Sequence, residues 1–188
     1  MDIHCTYNRS VIEKLLPHRP PFLMVDSISS YKGGQNPSMT ANFTVTDKEP
    51  AYSDNESGSH LPSIYIIEGL GQCCNLVIII SALEHGLIKA GLRIKTMDDV
   101  LKGLMYDEPD EITRTLKGIL HQRLMEPYSN VGFLGSADME ITGRARSGQE
   151  ISYEVRQNQA YGSLYHSTGK AFVNNNLIAR GTLVSAGR

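Results

Sequence analysis

The stretch from Ser63 to His85 constrains the fold most, because it is apolar on nearly every side of a helical wheel. A helix of this kind lies inside a protein rather than on its surface. Three polar side chains interrupt it: Glu68, Gln72 and Asn75. Glu68 and Gln72 stand one helical turn apart and therefore point to the same side. A buried carboxylate must be paired, hydrogen-bonded or neutralised, so Glu68 is the residue that most needs an explanation.

Two structural alternatives compete with a functional role for this stretch. Its length matches the ~20 residues that a bilayer span requires. However, charged residues are rare within membrane spans, and this stretch also lacks basic flanks. The other alternative is a core helix whose carboxylate only accepts hydrogen bonds from its neighbours. The sequence therefore predicts a buried helix and no membrane span, and it leaves both roles of the carboxylate open.

The overall composition excludes several classes of function. The formal net charge is -2 and no basic block stands out, which argues against nucleic acid or an anionic membrane surface as a partner. Three cysteines, Cys5, Cys73 and Cys74, offer neither a disulfide framework nor the spacing of a zinc site, so we predict no metal. The first residues lack the build of a signal peptide, and we expect a cytoplasmic protein.

The rest of the sequence predicts mainly strands. A short helix is predicted from Asn8 to Leu16 with Ser10 as its N-cap, because Glu13 follows three residues later. After the central helix, Thr96 and Pro109 mark the starts of two further helices, the second over 110–124. A polar loop is predicted over 47–58. Strands are predicted over 22–28, 38–46, 132–141, 150–160, 164–174 and 177–186.

This order of elements predicts an α+β fold in which a single antiparallel β-sheet wraps around one long buried central helix. The chain of 188 residues suits one domain, 1–188, with an extra helical insertion at about 87–127. The insertion either covers a site as a lid or simply packs on the sheet or on a partner. The free sheet edges favour pairing with a second copy.

Three motifs resemble the β-hydroxyacyl-acyl carrier protein dehydratases of the hotdog fold. The run IEKLLPHRPPFLMVDSI, Ile12 to Ile28, is similar to that family's opening, which has a run like LPHRYPFLLVDRV. The pairs Val45-Thr46 and Glu49-Pro50 resemble its VTxNEP motif, and IIEGLGQ, Ile66 to Gln72, resembles LIEAxAQ. The resemblance continues from about 131 to 186 but fails over the insertion.

The resemblance implies a hotdog fold, a homodimer and active sites at the dimer interface. Each site would take a histidine from one chain and a helix carboxylate from the other, and Glu68 and Gln72 match the family's helix carboxylate and glutamine. The acyl chain would enter a tunnel on the phosphopantetheine of acyl carrier protein or coenzyme A, with no cofactor resident in the protein. The resemblance does not decide whether the dimers assemble further into hexamers.

The sequence departs from the family at the catalytic histidine. The family carries it in a GHFPG loop, where this chain has DNESG, so that Asp54 or Asn55 takes its place. His60 is the nearest histidine and is the catalytic candidate, whereas His18 is assigned to a structural turn near the sheet edge. We expect Asp54 and Asn55 to contact the substrate. The backbone at Ser63 and Ile64, near the start of the central helix, is expected to meet the thioester oxygen.

Removing water from a 3-hydroxyacyl thioester requires a base for the α-proton and an acid for the departing hydroxyl. The favoured hypothesis is therefore an enzyme, a dehydratase (hydro-lyase) of fatty acid or related polyketide or lipid biosynthesis. In it, Glu68 is the acid, and His60 or a displaced group is the base. The alternatives are a hotdog acyl thioesterase, a non-catalytic acyl-binding or partner subunit, and a core carboxylate without any ligand.

Overall fold

The computed structural model describes residues 7–47, 60–92, 101–102, 105–106, 110–125 and 133–186. Three helices and seven strands are named here in chain order. They are β1 (Tyr7–Asn8), α1 (Arg9–Leu15), β2 (Ser27–Lys32), β3 (Ser38–Thr44), α2 (Ser63–Lys89), α3 (Glu111–Met125), β4 (Phe133–Ile141), β5 (Glu150–Tyr161), β6 (Leu164–Val173) and β7 (Asn176–Ala186).

The seven strands form one antiparallel sheet in the order β1-β2-β3-β5-β6-β7-β4. The inward-facing residues of neighbouring strands are directly paired, for example Tyr153 of β5 with Ala41 of β3 and with Ala171 of β6. All three side chains are fully buried and face α2. The sheet and its long central helix confirm the α+β hotdog architecture.

The central helix α2 is buried because its apolar residues cover its circumference. Ile66, Leu70, Leu76, Ile80 and Leu83 are all 0 % exposed. By length and composition alone α2 would suffice to cross a membrane, but two thirds of its most apolar window is buried within the protein. In this fold, its apolar surface is covered by the sheet and by the neighbouring helices.

The prediction for the first helix is right in its span and wrong in its cap. The N-cap of α1 is Asn8, whose side-chain oxygen accepts from the backbone N–H of Ser10 at 3.2 Å. Asn8 has the extended backbone of an N-cap, and its oxygen reaches the N–H two residues on, as capping geometry requires. Ser10 lies inside the first turn instead.

The strand predicted over 22–28 is also wrong, since β2 begins only at Ser27. The reason lies in the side chain of Gln72. Its Nε2 donates to the carbonyl of Phe22 at 2.8 Å, and its Oε1 accepts from the backbone N–H of Met24 at 2.9 Å. These backbone groups are satisfied by a helix residue and are therefore not available to a neighbouring strand.

The four predicted strands of the final third are confirmed within about two residues at each end. Alternation explains the success, because Ile151, Tyr153 and Val155 are buried while Glu154 and Arg156 are exposed. Period-two burial of this kind indicates a sheet that has one face on the core.

The described part of the insertion packs on the C-terminal half of α2. The helix α3 starts after Asp110, whose Oδ1 accepts from the backbone N–H of Thr113 at 2.6 Å. A Cβ at Gly86 of α2 would lie 3.0 Å from Ile119 of α3, so the two helices are in close contact there. Gly86 is about 27 Å along the helix axis from Glu68. The helix predicted from Thr96 lies largely outside the described residues, and so does most of the loop predicted over 47–58.

Candidate functional site

The carboxylate of Glu68 is not sealed inside the core. Its side chain is 41 % exposed and opens into a cavity of about 210 Å³. Helix α2, the turn that follows α1, and the ends of β4 and β7 supply the walls. The lining residues are His18, Glu68, Gly71, Gln72, Asn75, Phe133, Leu134 and Ser185.

Gln72 fixes the position of Glu68. Its side chain is 2 % exposed, and its Nε2 donates to Glu68 Oε1 at 2.9 Å as well as to the carbonyl of Phe22. Together with the bond from the N–H of Met24 to Gln72 Oε1, the amide makes three hydrogen bonds. A buried amide satisfied in this way is rigid, because each lost bond would leave a buried polar group unpaired. The hydrogen bond agrees with the prediction that Glu68 and Gln72 point to the same side of the helix.

The histidine beside Glu68 is His18, for which only a structural turn is predicted from the sequence. Its Nε2 lies 3.6 Å from Glu68 Oε1. Arg19 holds this turn in place, because its guanidinium donates to the carbonyls of Leu16, His18 and Glu13 at 2.9, 2.7 and 2.9 Å. The turn is structural, as expected, and it also brings an imidazole to the carboxylate. No local sequence pattern could indicate this contact, because the two residues are fifty positions apart.

The structure does not bring the other predicted site residues into this cavity. His60 forms an isolated backbone bridge with Arg146 and is not among the cavity residues. Ser63 and Ile64 form the exposed first turn of α2 and do not line the cavity either. Asp54 and Asn55 lie outside the described residues. A catalytic role of His60 from a partner chain stays a prediction.

The core beneath Glu68 is uncharged. Burial raises the pKa of the Cys73 thiol and of the Tyr153 hydroxyl well above their usual values. The hydroxyl of Tyr153 has no hydrogen-bond partner among the described residues, and its ring lies directly under Gly69. The described residues also contain no group of three or more His, Cys, Asp or Glu side chains that could hold a metal ion.

A second, larger groove lies on the other face of the sheet. It measures about 820 Å³ and is lined by outward-facing side chains that include Glu154, Lys170 and Arg180. Charges of both signs alternate there, and Arg180 Nε donates to Glu140 Oε2 at 2.7 Å. These charges compensate one another across strands, as on an ordinary solvated sheet face. The smaller cavity, with its carboxylate and imidazole, is therefore the candidate site.

Comparison with curated proteins gives one consistent class of relatives. A 3-hydroxyacyl-[acyl-carrier-protein] dehydratase (FabZ) of Nitratiruptor sp. is 24 % identical over 173 residues, which cover 92 % of this chain and 91 % of that protein. The enzyme of the same name from Clostridioides difficile is 24 % identical over 180 residues, 95 % and 96 % of the two chains. One from Anaeromyxobacter sp. is 37 % identical, but over 69 residues and only 42 % of its length. No family model matches the chain.

Solved structures share the fold. The dehydratase heterocomplex ApeI:P from Xenorhabdus doucetiae matches with a TM-score of 0.56 at 13 % identity, covering 94 % of this chain and 90 % of that one. An HP0420 homologue from Helicobacter felis matches with a TM-score of 0.53 at 8 % identity, covering 95 % and 89 %. At sequence identities this low, these neighbours establish only the hotdog fold.

Proposed function

We propose that this chain, a divergent member of the hotdog dehydratase family, removes water from 3-hydroxyacyl thioesters with Glu68 as the reacting group. The substrate would be carried on the phosphopantetheine of acyl carrier protein or coenzyme A, in cytoplasmic fatty acid or related polyketide or lipid biosynthesis. One observation carries the proposal. The carboxylate of Glu68 accepts a hydrogen bond from Gln72, lies 3.6 Å from His18 Nε2 and opens into a cavity.

The ring of His18 is better suited to orienting Glu68 than to transferring protons. Its Nδ1 is buried and has no hydrogen-bond partner among the described residues. A proton on Nδ1 would have no acceptor, so the neutral ring carries its proton on Nε2, which faces Glu68 Oε1. To accept a proton at Nε2, the neutral ring would have to carry its own proton on Nδ1. To donate one from Nε2 as an imidazolium, the ring would also need a proton on Nδ1, which is unfavourable here. We therefore treat His18 as a positioning residue.

The proposed reaction uses one carboxyl group for both proton transfers. The N–H groups of Gln72 and His18 face Oε1, while Oε2 accepts no hydrogen bond from the described residues and is available to the substrate. Oε2 takes the α-proton, and the electrons of that C–H bond form the double bond between C2 and C3. The C3–O bond breaks, the proton passes from Glu68 to the leaving hydroxyl, and water departs. This scheme revises the predicted division of labour between Glu68 and His60.

Steady-state dehydration of 3-hydroxybutyryl and 3-hydroxyhexanoyl thioesters, followed by the absorbance of the enoyl product, tests the proposal. Glu68→Gln removes the proton acceptor, and we expect kcat to fall by about 10²- to 10⁴-fold. His18→Gln keeps an N–H near the position of Nε2 and should retain most activity, whereas His18→Leu should lose about tenfold or more in kcat. His60→Gln is expected to change kcat little.

Two outcomes would contradict this mechanism. Full activity of Glu68→Gln would remove the carboxylate from the chemistry. An equal loss in His18→Gln and His18→Leu would mean that the imidazole itself transfers protons. If free thiol is released from the thioesters instead of an enoyl product, the chain is a thioesterase.

A non-catalytic partner subunit is the second candidate. Two observations favour it: DNESG stands where the family carries its catalytic histidine, and one structural neighbour is a dehydratase heterocomplex. In that case the isolated chain would bind acyl thioesters without turning them over. It would then raise the activity of a catalytic hotdog subunit in a mixed assembly.

We also propose a homodimer formed along β4. This strand ends the sheet, and no described strand pairs with its outer side. Phe133 and Leu134 on β4 are 51 % and 38 % exposed, and both line the cavity of Glu68. An unpaired edge with exposed apolar side chains favours pairing with a second copy. Such a partner would cover the mouth of the cavity.

A further inference from the structure

The cavity of Glu68 contains two polar side chains that the proposed reaction does not use, Asn75 and Ser185. Asn75 lies two turns after Glu68, about 10 Å farther along the axis of α2. Ser185 of β7 pairs with Leu134 of β4, and a Cβ at Gly71 would lie 3.5 Å from Leu134 Cδ2. The small Gly71 thus allows the end of β4 to approach α2, and the two polar side chains line the cavity together.

The hydroxyl of Ser185 lacks a hydrogen-bond partner among the described residues, and Asn75 lines the same cavity. Ser185 is 3 % exposed, and its Oγ is buried with no hydrogen bond to any described residue. Asn75 is 7 % exposed and lines the same cavity. Gln72, one turn earlier, satisfies its own amide with three hydrogen bonds. Buried polar groups are nearly always paired, so the unpaired hydroxyl of Ser185, in the same cavity wall as the amide of Asn75, indicates a ligand that pairs with it.

The chemistry of the two groups defines what they would bind. A serine hydroxyl and an asparagine amide both donate and accept hydrogen bonds, so they match a neutral hydroxyl or carbonyl oxygen. Among the described residues that line it, the cavity contains the carboxylate of Glu68 and no Lys or Arg, which disfavours a second negative charge. Its volume of about 210 Å³ lies below the ~300 Å³ of common ligand pockets and suits a short acyl group.

We infer that Asn75 and Ser185 form a polar subsite for an oxygen on the acyl chain, beyond the reacting carbons. The preferred substrate class is then a short 3-hydroxyacyl thioester with a second hydroxyl or a carbonyl group farther along the chain. This inference rests on the proposed function, because Glu68 fixes where the reacting carbons lie. It adds that the acyl end of the site discriminates against plain alkyl chains, which would offer no hydrogen bond to the hydroxyl of Ser185 or to the amide of Asn75.

Binding of unreactive thioesters tests the subsite without depending on turnover. Hexanoyl-pantetheine and 5-hydroxyhexanoyl-pantetheine lack the 3-hydroxyl group and differ only in the distal oxygen. By isothermal titration calorimetry, we expect the hydroxylated compound to bind about tenfold more tightly, the effect of one or two net hydrogen bonds. Ser185→Ala and Asn75→Leu should reduce this preference to about twofold or less.

The matched control is Ser167→Ala. Ser167 is an equally buried serine on the adjacent strand β6, and it contacts Cys74 rather than the cavity. This variant should keep the preference for the hydroxylated compound. The melting temperature adds an independent readout: Ser185→Ala loses no hydrogen bond, so its melting temperature should not fall.

The outcomes separate the subsite from the proposed function. Equal affinities of the wild type for both thioesters, or no binding of either, would overturn the subsite. A preference that survives in both Ser185→Ala and Asn75→Leu would overturn it as well. Dehydration of 3-hydroxyhexanoyl-pantetheine, measured in parallel, reports on the proposed function alone. A preference in binding without any turnover would support the subsite and point to the acyl-binding partner subunit.

Discussion

The thiols of Cys73 and Cys74 on α2 and the phenol of Tyr31 on β2 are buried ionisable groups without a role in the proposed chemistry. Burial raises the pKa of Cys74 from 9.0 to about 12, although a hydrogen bond with Ser167 acts in the opposite direction and lowers this pKa. Burial also raises the pKa of Tyr31 from 10.0 to about 12, partly offset by its hydrogen bond with Ser81 at 2.9 Å. The pKa of Cys73 is raised as well. All three groups are neutral in the folded protein at neutral pH.

These shifts predict a loss of stability in alkali. An unfolded thiol releases its proton near pH 9 while the folded one keeps it, so the unfolded state gains stability above that pH. The free energy of unfolding should fall from about pH 9 towards pH 12, and Tyr31 contributes above pH 10. Each group adds a slope of at most about 1.4 kcal/mol per pH unit.

Urea denaturation between pH 7 and pH 10 measures this loss. Cys74→Ser removes one of the two buried thiols, so its free energy of unfolding should fall less steeply between pH 9 and pH 10 than that of the wild type. Because the variant is less stable than the wild type at every pH, the quantity to compare is the slope of the free energy of unfolding against pH. Parallel pH profiles for the two proteins would contradict the prediction.

Single residues also show how far the sequence predicts the site. The spacing of Glu68 and Gln72 on a buried helix predicted that they share one side, and their hydrogen bond confirms it. The approach of His18 to Glu68 is a tertiary contact between a turn and a helix, and no periodicity encodes it. Ser185 gave no signal either, because an inward serine on a strand has the same sequence pattern whether its hydroxyl is paired or not.

Close packing between α2 and β5 depends on one glycine. Gly69 of α2 lies against the ring of Tyr153, and a Cβ at this position would lie 2.5 Å from the ring carbon Cζ. That distance is far inside van der Waals contact, and Tyr153 is 0 % exposed and has no room to move. Gly69 therefore sets how closely the helix approaches the sheet. Because it adjoins Glu68, it also sets how deep the carboxylate lies.

Gly69→Ala should destabilise the protein by about 1–3 kcal/mol, the usual cost of overpacking a core. The matched control is Gly118→Ala on α3, where a Cβ would meet nothing within 4 Å. The same substitution in an open helical position should stabilise by about 0.5–1 kcal/mol, because alanine has the higher helix propensity. Urea denaturation of both variants checks the contrast. Equal effects would mean that the contact with Tyr153 does not limit the packing.

Helices and strands are predicted best from the sequence where the periodic pattern of apolar residues is uninterrupted. The four final strands and the helix α2 follow from period two and from an all-round apolar surface. The segment before β2 fails for a specific reason. Phe22 and Met24 have strand-like composition, but their backbone groups bond to Gln72, a residue fifty and forty-eight positions later. A side chain that takes the place of a neighbouring strand makes a tertiary contact, and the local sequence does not predict such a contact.

At the scale of the whole molecule, the candidate site lies beside β4, the strand at one edge of the sheet. The cavity of Glu68 is closed on the helix side by Gln72 and Asn75, while Phe133 and Leu134 at the end of β4 form an exposed apolar rim. Leu164 extends this rim, since it pairs with Ala186 of β7, the residue that also pairs with Phe133. Apolar side chains continuous across three strand ends favour an interface rather than solvent.

The proposed dimer predicts that one substitution on this rim changes both assembly and activity. Phe133→Asp places a charge beside the unpaired edge of β4, so we expect a shift towards monomer in light scattering after size exclusion. The dehydration rate should fall with it, because the partner that covers the cavity is lost. Ile88→Asp is the control, since Ile88 is also exposed, at 53 %, but lies near the far end of α2. If Phe133→Asp and Ile88→Asp leave the molecular mass equally unchanged, β4 is not the interface, and the site must function within a single chain.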